Sequence, residues 1–221
     1  MRTLSCLLNI MVAAFFLTAC NYNTKSLKQT TAKLPFYLGA DFTPQWIEKT
    51  DSLYQGIHTI PSFDFTDQDG KEITEKIFSG KIYVANFFFC SCPGICKRLT
   101  SNLSLVQKAF QDDSRILLLS HSVTPEADSV PRLKEYARSN GVISGKWHLV
   151  TGKRNEIYQI ARASYFADED LGEQKGTNDF LHTENILLID TQKRIRGIYK
   201  GTSVKDINDL IADIKKLEAE D

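Results

Sequence analysis

The run Ile82-Tyr83-Val84-Ala85-Asn86-Phe87-Phe88-Phe89-Cys90-Ser91-Cys92-Pro93-Gly94-Ile95-Cys96 decides how the rest of the chain is read. From Lys81 to Phe89 it is almost wholly apolar and rich in β-branched and aromatic side chains, the pattern of a strand buried on both faces. Such a strand belongs at the centre of a sheet. Cys90, Cys92 and Cys96 follow closely, and beyond them Ile95, Leu99, Leu103, Val106 and Phe110 recur at spacings of three and four. That spacing predicts an amphipathic helix over Pro93 to Phe110, with the proline in its first turn.

A strand-to-helix junction is a reactive place for a thiol. The free amides and positive dipole end of a helix N-terminus stabilise thiolate, which raises both nucleophilicity and metal affinity. The sequence predicts Cys92 near the N-cap and Cys96 one turn inside, on a shared helix face. Residues four apart on a helix have Cβ atoms about 5–6 Å apart, which a bridging metal spans more readily than a disulfide. Two soft thiolates favour copper(I) or zinc over magnesium or calcium. Disulfide exchange stays open as the second chemistry of the pair. Cys90 either fills core space or offers an additional sulfur.

Outward from this junction, strand-like and helix-like patterns alternate. Phe63-Asp64-Phe65 running into Asp67-Gln68-Asp69-Gly70 signals an opening hairpin. Arg115 to Val123 reads as a strand, Val130 to Asn140 as a helix ended by Asn140-Gly141, Trp147 to Val150 as a strand and Asn155 to Ala163 as a helix. Asn185 to Asp190 and Arg194 to Tyr199 flank Thr191-Gln192-Lys193 as a β-hairpin, and Val204 to Leu217 closes the chain as a helix. This order predicts an α/β fold of thioredoxin-like (glutaredoxin-like) type: a central mixed sheet flanked by helices, with an extra N-terminal hairpin.

The other two cysteines lie far away, at Cys6 and Cys20, so the five build no ladder of structural disulfides. Arg2 followed by an apolar run from Leu7 to Leu17, broken by Asn9, has the layout of a secretory signal peptide and is short for a membrane span. Leu17-Thr18-Ala19-Cys20 looks like a bacterial lipobox, which makes Cys20 the expected lipidated first residue after removal of residues 1–19. Residues 20–57 begin with a polar tether and continue into a more apolar segment around Phe36 to Trp46, and residues 58–221 form the expected domain. The implied location is outside the cytoplasmic membrane, lipid-anchored, with the domain facing the periplasm or cell exterior. Lysine plus arginine and aspartate plus glutamate each number 27, and the formal charge of zero argues against nucleic acid as a partner.

Val84 through Cys96 resembles the strand and C-P-x-x-C motif of the Sco/SenC family, copper-handling proteins of respiratory oxidase assembly. Ser122-Val123-Thr124-Pro125-Glu126-Ala127-Asp128 with Leu133-Lys134-Glu135-Tyr136-Ala137 is similar to the family's next segment. Trp147-His148-Leu149-Val150-Thr151-Gly152 is similar to the strand and turn after that, and Leu181-His182-Thr183 sits where the family has its histidine. The resemblance implies a thioredoxin-like fold, copper(I) or copper(II) bound by Cys92, Cys96 and His182, and transfer to the copper-bearing subunit of cytochrome c oxidase or another periplasmic copper protein. On that reading the protein is a metallochaperone and not an enzyme.

Three departures from the family pattern stand out. Leu181 replaces a residue that is commonly acidic, leaving Asp179 or Glu184 as candidate carboxylates beside the histidine. Lys97 stands where proline is frequent, and Cys90 is an extra thiol. The main alternative function is a membrane-anchored thiol-disulfide oxidoreductase, in which Cys92 attacks and Cys96 resolves. A copper-dependent redox sensor is also open. A peroxidase is disfavoured, since no Thr-x-x-Cys setting with an arginine occurs.

Overall fold

The computed structural model describes residues 33–167, 181 and 183–220. Lys33–Asp221 forms one compact unit. Its centre is a seven-stranded mixed sheet in the order β4-β3-β7-β6-β5-β8-β9. In chain order, β1 (Phe36–Tyr37) and β2 (Pro44–Gln45) form a small separate hairpin, and β3 (Asp64–Asp67) and β4 (Glu72–Thr74) form the expected opening hairpin. β5 (Ile82–Phe88), β6 (Ile116–Ser122) and β7 (Trp147–Thr151) run parallel, and β8 (Asn185–Ile189) and β9 (Ile195–Lys200) close the far side antiparallel.

Every residue of β5 and β6 is buried, as their apolar runs require of strands covered on both faces. Alternation along β5 sends Ile82, Val84 and Phe88 into one core and Tyr83, Ala85 and Phe87 into the other. Helices α1 (Ile95–Ala109), α2 (Val130–Ser139) and α4 (Val204–Glu218) contribute Leu99, Leu103, Leu133, Leu210 and Ile214 to the first. Helix α3 (Arg154–Ala163) supplies Ile157, Ile160 and Ala161 to the second, together with Phe63, Phe65 and Phe78. α2 ends at Asn140 followed by Gly141 at φ 67°, a left-handed conformation that glycine adopts without steric cost.

α1 starts later than its sequence predicts. Its N-cap is Gly94, at φ −122° and ψ −107°, so Pro93 lies outside the helix. Cys92 therefore precedes the cap by two residues, and Cys96 is the second helical residue. The two cysteines do not share a helix face: one belongs to the turn and one to the first turn of the helix.

The segment before the opening hairpin packs on the β9 edge. Phe36, Ile47 and Ile57 form a small cluster of their own. The Phe36 ring lies under the guanidinium groups of Arg196 (4.2 Å) and Arg194 (4.8 Å). Arg196 also donates to the carbonyls of Leu34 (2.6 Å) and Pro35 (3.0 Å) and to Glu220 (2.7 Å), tying the residues just before β1 to the chain just past α4.

Candidate metal centre

The parallel register pairs Phe88 with Ser122, so the turn after β5 and the loop after β6 leave the sheet side by side. The Val123 amide donates to the Phe88 carbonyl at 2.9 Å and fixes that exit. The turn itself is Phe89 to Gly94, closed by the Cys92 amide donating to the Phe89 carbonyl at 3.3 Å. Ser91, Pro93 and Gly94 are exposed at its tip, whereas Cys92 and Cys96 are 6% and 5% exposed.

The two thiols touch, and their surroundings divide them. Burial pushes the Cys92 thiol up, but the Cys96 thiol and the amides of Cys96, Gly94 and Ile95 outweigh it and hold Cys92 below its ordinary value. The Cys92 sulfur thus does for α1 what a serine or aspartate side chain does at other helix starts. Burial, and then the hydrogen bond given to Cys92, push Cys96 up to about 12. Neither thiol is in a disulfide. The arrangement offers one sulfur that loses its proton more readily than an ordinary thiol and a second that surrenders its proton when a metal ion or a disulfide partner arrives.

Cys90 is half-buried against the α1-side core, and burial with the Asp128 carboxylate beside it raises its thiol. Asp128 stands in the loop after β6, in the segment Ser122 to Asp128. It is 1% exposed, and its Oδ2 accepts from the Cys90 amide (3.1 Å), the Ser122 hydroxyl (2.6 Å) and the Thr124 hydroxyl (3.0 Å). It clasps the cysteine turn to the end of β6. A Ser-x-Thr-x-x-x-Asp pattern directly after a buried strand is the signal that would have exposed it.

His182 lies outside the described residues, as do Cys20 and Asp179. The residues on either side of His182 are buried: Leu181 packs into the α3-side core, and the Thr183 hydroxyl accepts from the Asn185 amide at 3.0 Å. Glu184, a candidate carboxylate for the histidine, is engaged by Lys200 (3.2 Å) and by the Thr202 hydroxyl. Among the described residues no group of three or more His, Cys, Asp or Glu side chains is arranged to hold a metal. The sulfur pair is therefore the described part of any such centre.

The other histidines serve structure. His58 meets the Ser164 carbonyl at 2.9 Å, and His148 pairs with the buried Asp67 at 2.9 Å. His121, on the opposite face of the sheet from the thiols, sits fully buried among the rings of Phe63, Phe65, Phe87 and Tyr165.

A family model described as SCO1/SenC matches residues 52–219. The chain is 26% identical to the SCO1 protein homolog of Bacillus subtilis over 160 residues, covering 72% of this chain and 82% of that one. Among solved structures, a SCO1/SenC family lipoprotein from Bacillus anthracis is 28% identical with a TM-score of 0.63, covering 73% of this chain and 95% of the other. ScoI of Bradyrhizobium japonicum, solved with copper bound, is 26% identical with a TM-score of 0.57, covering 72% and 99%.

Proposed function

The chain belongs to the SCO1/SenC family, with the thioredoxin-like fold of its solved relatives, and from that premise we propose that it binds copper through Cys92, Cys96 and His182 and passes it to the copper centre of a respiratory cytochrome c oxidase. The observation that carries this reading is the contact between the Cys92 and Cys96 sulfurs at the entrance of α1. Two thiolates match the softness of copper(I), and an imidazole nitrogen extends the set to copper(II). The related ScoI of Bradyrhizobium japonicum, which holds copper, supports it. Copper is cargo here, and transfer is ligand exchange: a thiolate or imidazole of the recipient displaces one donor at a time.

Anaerobic copper titration of the chain from residue 20 onward tests this against Cys92→Ser, Cys96→Ser and His182→Ala. The expected result is about one equivalent bound, lost in either cysteine variant and weakened without the histidine. The split between a low Cys92 and a high Cys96 also favours a second reading, thiol-disulfide exchange, in which Cys92 attacks and Cys96 resolves. Reduction of a synthetic disulfide with no copper uptake would replace the first reading by the second.

Lipid attachment at Cys20 completes the proposal and puts the domain at a membrane surface, outside the cytoplasm. Among the described residues no helix is long and apolar enough to cross a membrane. The chain expressed in a bacterium should enter the detergent phase on phase separation, and Cys20→Ser should move it to the aqueous phase. Equal partitioning of the two would remove the anchor.

A further inference from the structure

The first turn of α1 reads Ile95-Cys96-Lys97-Arg98 and holds no acidic residue. Cations there oppose the helix dipole, so their placement works against the helix. Lys97 and Arg98 are exposed, and among the described residues neither forms an ion pair. Arg132, exposed on the first turn of α2, lies close enough to act on the Cys90 thiol; its charge also reaches Glu135, but among the described residues it forms no ion pair. Several other helix-surface cations find acids, Arg138 with Glu135, Lys153 with Glu156, Lys205 with Asp209 and Lys216 with Asp213, whereas among the described residues Lys108 and Lys215, away from the cysteine turn, form no ion pair either.

The cysteine turn is thus bordered by unpaired positive charge on a chain whose formal charge is zero. Its tip residues Ser91, Pro93 and Gly94 are exposed, so another protein's surface can rest directly on the turn that holds Cys92. We propose that Lys97, Arg98 and Arg132 form a basic collar that docks an acidic protein surface over the cysteine turn. The proposal rests on the reading that this turn hands copper to another protein, and it adds the sign of the charge that the recipient must carry. Because the charge is local, it orients a partner already near the site more than it attracts one from afar.

The test measures copper(I) transfer from the loaded chain to two synthetic acceptor peptides that share one Cys-x-x-x-Cys site, flanked by glutamates in one and by lysines in the other. At about 20 mM salt the acidic peptide should take copper about tenfold faster, and the preference should collapse at about 500 mM. In the variant Lys97→Glu, Arg98→Glu, Arg132→Glu the order should reverse, and the neutral variant with glutamine at the same positions should show no preference. Equal rates in the wild type, or a variant that changes both rates by the same factor, would overturn the collar, since cations that merely tune the thiols treat both peptides alike. If the chain takes up no copper, the reduced protein is compared with a dianionic aromatic disulfide and with neutral dithiodipyridine. Either reagent forms a mixed disulfide with a cysteine sulfur and releases one thiolate. A salt-sensitive preference for the dianion keeps the collar while the copper reading falls, and no preference removes the collar as well.

Discussion

At the scale of single residues, the site is an unequal pair made by its position. Cys92 and Cys96 are both buried, and burial raises both; what separates them is that the amides at the start of α1 point at Cys92 while Cys96 donates to it. The first proton the pair loses therefore comes from Cys92. Limited iodoacetamide treatment of the reduced chain should alkylate Cys92 before Cys96 and Cys90, as read by peptide mass spectrometry. The midpoint of the pH–rate profile should lie below the ordinary thiol value, and Cys96→Ala, which deletes one of the hydrogen bonds, should move that midpoint upward. First labelling at Cys96 would contradict the assignment. Cys90 is expected to be slow, because burial, and then the Asp128 carboxylate beside it, disfavour its thiolate.

At the scale of elements, how much is legible depends on whether a pattern is local. β5 and β6 are readable because a strand buried on both faces carries a long apolar run, Ile82 to Ala85 and Ile116 to Leu119 here, and α2 ends at Asn140-Gly141 because the left-handed residue is a glycine. The start of α1 is less readable: proline suits a first turn, yet here the chain reaches helical geometry only after Gly94, so the cysteine spacing does not lie on one helix face. The clasp by Asp128 depends on two loops leaving the sheet together, a consequence of the β5–β6 register that no local pattern encodes. The same holds for residues 33–57. Their apolar character is visible in the sequence, but their seat is made by Arg194 and Arg196, which stand far along the chain on β9 and reach Phe36, Leu34 and Pro35. Arginines on a strand read as solvent-facing; these are buried because each finds a carboxylate at Asp190, and Arg196 a second at Glu220. His182 is legible through the family resemblance of its segment, not through spacing, since it stands so far along the chain from Cys92 and Cys96.

At the scale of the whole molecule, one sheet separates two cores with different duties. The α1 side carries the thiols, and the α3 side carries His121, whose ring stacks on Phe87 at 5.0 Å and whose nitrogens find no regular hydrogen-bond partner. Burial pushes His121 from its ordinary 6.5 down to about 3, against a weaker opposing pull from the Asn86 backbone. The folded chain keeps this imidazole neutral while the unfolded chain protonates it, so between these values the unfolded state binds more protons and stability falls as pH falls. At about pH 5 the loss relative to neutral pH should be roughly 2 kcal/mol, from about 1.4 kcal/mol per pH unit below the unfolded value. Urea unfolding at about pH 7.5 and pH 5 measures it, with the change in midpoint multiplied by the slope of the transition. His121→Leu, close in volume and without a proton to take up, should flatten this dependence even if its stability at neutral pH differs. A variant that loses as much stability as the wild type over the same interval would show that other groups carry the effect. If the dependence does flatten, the acid sensitivity of the fold originates on the face of the sheet opposite the cysteine turn, and copper release in acid can be measured separately from unfolding.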